Sequence, residues 1–183
     1  MGTFVFAGHG GSSAVSAIDA TAAGDIFDNF DGKIGTAESV IANGDAAMQT
    51  TAAGDNSMLY TLPSVMDDLS LSASYAPKGA GNESSAAFAG TYTGVEGLSV
   101  SYGQGTNNSA VGTAFDADVS SMKASYAIGS FTLAYSDHEF DSATSTRDQD
   151  TTSMSLAYTV SDAISISYGT EEIDSGETTV DAE

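Results

Sequence analysis

The sequence predicts an all-β fold: an antiparallel meander forming part of a transmembrane β-barrel, with one long loop folded inward. Three observations predict it. From residue 57 onward, apolar and small polar residues alternate with a period of two. The links between runs alternate between short and long, and all eight tyrosines sit near run ends on the apolar face.

Strict alternation over many runs marks half-buried strands. A first short strand, GTFVFAG, lies near residues 2–8, and SMLYTLP gives another near 57–62. In the strand near 68–76, Leu69, Leu71, Ala73 and Tyr75 face one way and Ser70, Ser72 and Ser74 the other. A strand near 86–93 follows, then one near 97–104 that sets Leu98, Val100 and Tyr102 against Ser99, Ser101 and Gly103. Near 119–127, Met122, Ala124 and Tyr126 stand against Ser121, Lys123 and Ser125. Phe131, Leu133 and Tyr135 form the apolar face near 130–138. Met154, Leu156 and Tyr158 do so near 151–160, and Ile164, Ile166 and Tyr168 near 163–171.

These runs make about nine strands, the meander covering 57–171 within a single barrel domain over 1–183. Residues 9–56 are nearly aperiodic and read as a constriction-type loop. A loop of that length in a compact domain has a function of its own.

The face opposite the apolar residues decides between a soluble and a membrane sheet. A soluble sandwich exposes Lys, Glu, Arg and Thr, whereas here the wet face is Ser, Thr, Ala and Gly. Such a face suits the inner wall of a wide, water-filled barrel whose apolar face meets lipid. Short links at 64–68, 93–97, 127–130 and 160–162 alternate with long polar ones at about 77–85, 103–118 and 137–151. Outer-membrane barrels have this asymmetry. The carboxylates of 137–150 and 171–183 are thereby assigned to external loops.

Tyr60, Tyr92, Tyr126 and Tyr158 lie shortly before short turns. Tyr75, Tyr102, Tyr135 and Tyr168 lie before long links or the C-terminal tail. With strands running alternately down and up, they make two aromatic girdles at the membrane interfaces, where a half-wet ring is favoured.

The formal net charge is −21, from 25 acids against Lys33, Lys78, Lys123 and Arg147. That excludes nucleic acid, since phosphate binding needs clustered cations, and docking on an anionic membrane surface. Without cysteine there is no disulfide, zinc–thiolate site or thiol nucleophile. No run approaches the roughly 18 apolar residues of a membrane helix, but a barrel strand needs only about ten alternating ones. GHGGSS lacks the Lys and the βαβ surroundings of a phosphate cradle. No G-x-S-x-G elbow is present, and the chain does not read as an enzyme.

GTFVFAGHGG at the start, AGDIFDNFDG at 23–32, GDNSMLYTLPSV at 54–65 and the following DDLSLSASYAP resemble, in that order, a general bacterial outer-membrane porin of the alphaproteobacterial, marine type. The resemblance covers residues 2–77. It implies a sixteen-stranded barrel, a homotrimer in outer-membrane lipid, and passage of small hydrophilic solutes and ions past an inward-folded third loop. It makes this chain a central portion beginning near the fifth strand, because strands are too few, the start lacks signal-peptide features and no Phe ends the chain.

The resemblance places Asp19, Asp25, Asp28, Asp31, Glu38 and Asp45 at the pore constriction. Rings of acids select for cations there. Lys123 faces inward by the alternation and is a lumen-wall residue, the one base predicted on a strand wall. DIFDNFDG departs from EF-hand spacing, which leaves loose oxygen ligation of calcium by Asp25, Asp28 and Asp31; no other cofactor is implied. The alternative is a secreted, calcium-stabilised β-sandwich, an adhesin or surface-layer module. It shares the acidity, but the G-G-x-G-x-D repeats that would mark it are absent.

Overall fold

The computed structural model describes residues 1–18, 20–24, 56–63, 66–78, 83–107, 117–142, 148–175 and 179–182. Strands β1 (Thr3–Ala7), β2 (Ser57–Thr61), β3 (Leu69–Ala76), β4 (Ser85–Tyr92) and β5 (Leu98–Asn107) are followed by β6 (Ala117–Ile128), β7 (Phe131–Ser142), β8 (Gln149–Ser161), β9 (Ile164–Ser175) and β10 (Thr179–Ala182). They form one antiparallel sheet whose spatial order is the sequence order. Among the described residues a 3-10 turn, Val15–Ala17, lies between β1 and β2.

This is the meander that the alternation predicts. One further strand, β10, adds to the nine read from the sequence and pairs with β9 from Thr179↔Asp174 to Ala182↔Glu171. Short links permit only local return, which is why neighbours in sequence are neighbours in the sheet. The tightest is the two-residue turn between Ile128 and Phe131. Gly129 there has φ of 60°, the left-handed conformation that matches the twist of paired strands.

The apolar face is open. Leu133 is 52 % exposed and Leu156 43 %, while Leu71 and Val100 are only half-buried. A soluble sandwich would bury all four between two sheets, and the described residues form one sheet. On this face Phe131 and Tyr158 pack ring to ring at 4.7 Å between centroids.

Register partners share a face, so each row across the strands reads as a line of one orientation. One outward row runs Tyr60, Ala73, Phe88, Gln104, Ser120, Glu139, Asp150, Asp174. It begins with an aromatic beside a short link and ends in carboxylates.

The row exposes a correction. Asp137, Glu139, Asp141, Asp150, Glu171, Glu172 and Asp174 lie on strands, not in external loops. Strands β6, β7 and β9 are 12 residues long and β8 is 13, against 8 for β3 and β4. In the extensions the chemistry of the two faces inverts. Val119, Phe140 and Ile173 point inward and are buried, whereas Asp118, Glu139, Asp150 and Asp174 point outward and are exposed. The alternation with apolar residues outward stops there, although pairing continues.

Candidate functional site: the inner wall and the segment that crosses it

The inward positions of β4 and β5 are small. Ala87, Ala89 and Gly103 leave a shallow hollow, into which Ala14, Val15 and Ile18 pack beside Leu59. A Cβ on Gly103 would come within 3.0 Å of both Ile18 Cδ1 and Ala89 Cβ, so the hollow exists because this residue lacks a side chain. At the edge of the hollow, the Ala14 N–H donates to Ser74 Oγ of β3 at 2.9 Å.

Beyond the hollow the segment follows a single inward row. Lys123, Ser136, Ser153 and Glu171 are successive register partners on β6, β7, β8 and β9. All four hold residues 20–23. The Lys123 ammonium donates to the carbonyls of Ala20 at 2.8 Å and Thr21 at 3.2 Å. The Ala22 N–H donates to Ser136 Oγ at 2.8 Å, and the Ala23 N–H to Ser153 Oγ at 2.7 Å. The Thr21 hydroxyl donates to Glu171 Oε2 at 2.6 Å, both residues being 1 % exposed.

Each partner suits its task. A serine hydroxyl accepts a backbone N–H that would otherwise lose its bond to water. An ammonium carries three donors and can cover two carbonyls. A bond to a buried carboxylate is short and strong because the acceptor is charged.

Ala14 is tied to β3 and Ala23 to β8. The nine residue steps between them reach at most about 30 Å, while five interstrand spacings measure about 24 Å along the sheet. The segment is therefore drawn across the wall with little slack.

The other inward positions carry no charge toward the short-turn end. Ser99, Ser125, Ala134, Ser155 and Gly169 form one row there. Such a wall presents hydroxyl and backbone groups that can hydrogen-bond to water or a polar solute.

The eight tyrosines all occupy outward register positions; seven are exposed and Tyr135 is half-buried. At the long-link end, Tyr102 OH donates to Gln104 Oε1 at 2.7 Å and Tyr135 OH to Asp137 Oδ2 at 2.9 Å. In both cases the ring lies on the apolar face and the hydroxyl reaches the next outward polar residue.

Lys123 points inward and its ammonium is engaged by the crossing segment. Asp19, Asp25, Asp28, Asp31, Glu38 and Asp45 lie outside the described residues. Among the described residues no cluster of His, Cys, Asp or Glu is arranged to hold a metal.

Sequence reasoning missed Thr21, Ser74, Ser136, Ser153 and Glu171 as anchors. The signal was present for Glu171: with Tyr168 outward, the same alternation puts residues 169 and 171 inward.

A family model described as Gram-negative porin matches residues 7–183. No curated protein matches the sequence. Among solved structures, a mutant of the Rh. blastica porin is similar, with TM-score 0.49 and 16 % identity. The match covers 68 % of this chain and 40 % of that one. The family match extends over nearly the whole sequence, including the loop and every strand after β1, and on it the chain belongs to the Gram-negative porin family.

Proposed function

We propose that the protein is an outer-membrane general-diffusion porin. Small hydrophilic solutes and ions pass through a water-filled barrel, and the loop of residues 9–56 narrows the pore. The observation that carries this reading is the crossing segment. Six hydrogen bonds tie residues 14–23 across the hydroxyl-lined inner face, from Ser74 on β3 to Glu171 on β9. A loop rooted there occupies part of the lumen. The open apolar face supports placement in outer-membrane lipid, with a homotrimer as the assembly that the family implies.

In this reading Asp19, Asp25, Asp28, Asp31, Glu38 and Asp45 bias passage toward cations, and Asp25, Asp28 and Asp31 hold calcium loosely at most. Lys123 is a single positive charge against these six acids, and its ammonium is held by two carbonyls of the segment. The test is the reversal potential of the reconstituted porin under a salt gradient. The wild type is expected to prefer cations, less so at high salt, since fields are screened over about 10 Å at 0.1 M. Changing Asp25, Asp28 and Asp31 together to Asn is expected to lower that preference while the barrel stays folded. An anion-preferring wild type, or a mutant with the same reversal potential, overturns the acidic constriction.

A further inference from the structure

We propose that the inner wall carries a binding site for a neutral polyhydroxylated solute, a sugar in chemical class, in the cavity between the 3-10 turn and strands β2–β4. The cavity measures about 390 Å³. Small-molecule sites run from roughly 300 to 1,000 Å³.

Its lining divides into two kinds of surface. Ile18 and Leu59 form an apolar floor, and Thr61, Ser70, Ser72 and Thr91 present hydroxyls around it. A pyranose is built the same way, with C–H faces and a rim of hydroxyls that both donate and accept. Serine and threonine hydroxyls likewise do both, so they pair with a sugar rim in either sense.

The described residues of the lining carry hydroxyl and apolar groups and no ionisable side chain. A charged solute would lose water there and meet no opposite charge, which is costly, whereas a neutral polyol exchanges hydrogen bonds one for one.

Some hydroxyls are already committed. Thr91 and Ser101 bond to each other at 2.9 Å, and Ser70 reaches the Thr91 carbonyl at 3.5 Å. The hydroxyls of Thr61 and Ser72, register partners on β2 and β3, have no protein partner among the described residues. They sit side by side on the wall with their full bonding capacity to offer.

The inference rests on the porin reading in one respect: the cavity is on the lumen side, so solutes reach it through the pore. Its test reads binding directly. The full-length protein, solubilised in a detergent without a sugar head group, is titrated with glucose and, separately, with gluconate. Saturable glucose binding is expected, at least tenfold tighter than gluconate. The double variant Thr61→Val, Ser72→Val is expected to bind glucose about tenfold or more weakly, as befits two lost neutral hydrogen bonds. Valine suits a strand, and the single variant Ser72→Ala, expected to show a smaller loss, serves if the double variant does not fold. Non-saturable glucose uptake by the wild type, equal affinity for gluconate, or unchanged affinity in a folded variant overturns the site. Conductance steps from the same preparation test the porin reading separately: a protein that conducts but binds no glucose overturns the sugar site alone.

Discussion

Lys123 and Glu171 stand three strands apart in one row of the sheet and grip the same residue. The lysine ammonium holds the Thr21 carbonyl at 3.2 Å and the glutamate carboxylate holds the Thr21 hydroxyl at 2.6 Å. Three interstrand spacings put the two strands roughly 14 Å apart, so the two side chains reach toward each other and meet on the threonine. Thr21 is thereby the point at which the segment is tied to both β6 and β9.

Replacing Thr21 by Val should free the segment there. The methyl group leaves the buried Glu171 oxygen without this donor, at a cost of about 1.5–3 kcal/mol to docking of the segment. Thr21→Ser keeps the hydroxyl and should keep the tie. Limited proteolysis of the reconstituted protein reads the difference: cleavage within 9–56 is expected to accelerate for Val and stay near wild type for Ser. Equal rates for all three proteins would show that the hydroxyl bears no load.

Lys123 should matter more as a tether than as a charge. Lys123→Met strips the donor from two carbonyls and should broaden the distribution of single-channel conductance. Its cation preference should shift less than that of the triple Asn variant of Asp25, Asp28 and Asp31. Single-channel traces and reversal potentials of the two variants decide it; a large selectivity change with unaltered conductance levels would reverse the assignment.

The two faces of β7 should respond oppositely to substitution. Leu133 is on the apolar face, and Leu133→Arg should weaken folding into bilayers by about 1 kcal/mol, because its register partner Tyr126 places it toward the short-turn edge of the apolar band. Ala134 faces the hydroxyl wall, so Ala134→Ser should stay within about 0.5 kcal/mol of wild type. Phe140, 5 % exposed in a cluster with Ala117 and Val119, points inward. Its change to Ala should cost about 3 kcal/mol or more. Denaturant titration of the protein in lipid vesicles orders the three; a Leu133→Arg no more costly than Ala134→Ser would contradict the lipid-facing assignment.

The hollow under the 3-10 turn depends on Gly103. Gly103→Val would push against Ile18 and Ala89 and should dislodge the turn, whereas pairing it with Ile18→Ala should restore part of the docking. Protection of the residue 15–18 amides from hydrogen exchange is the readout. Protection that survives in the single variant would mean that the turn is held from elsewhere.

Period-two alternation made the strands legible wherever the outer face stayed apolar, because lipid imposes one sign on that face. It failed as a boundary marker in β6–β9. There Glu139 and Asp150 take outward positions while Phe140 and Ile173 turn inward, so the backbone continues as strand while the pattern changes phase. The anchors were harder to read. Ser136 and Ser153 look like any other lumen serine; only register shows that they share a row with Lys123 and Glu171. Register follows from pairing, and no local pattern in the sequence carries it.

The rows acquire a slope once the sheet curves into a barrel, because barrel strands tilt by roughly 40° and a row perpendicular to them must climb. With strands about 4.8 Å apart, the climb is about 3 Å per strand. The outward row from Tyr60 to Asp174 takes seven such steps and rises about 22 Å, close to the roughly 25 Å height of the apolar band. That is why one row can begin with an aromatic at one edge of the apolar band and finish in carboxylates beyond the other. The inward row is a ramp of the same pitch: it starts at Ser70 and has risen about 9 Å by Lys123. Ser74 lies four residues up β3 from Ser70, about 10 Å along the membrane normal. The Ser74 and Lys123 tethers thus sit at nearly equal depth, so the segment between them crosses level with the membrane. From Ala20 to Ala23 it then ascends with the wall, so in the porin proposed above a solute moving along the axis would meet an inclined sill rather than a flat shutter.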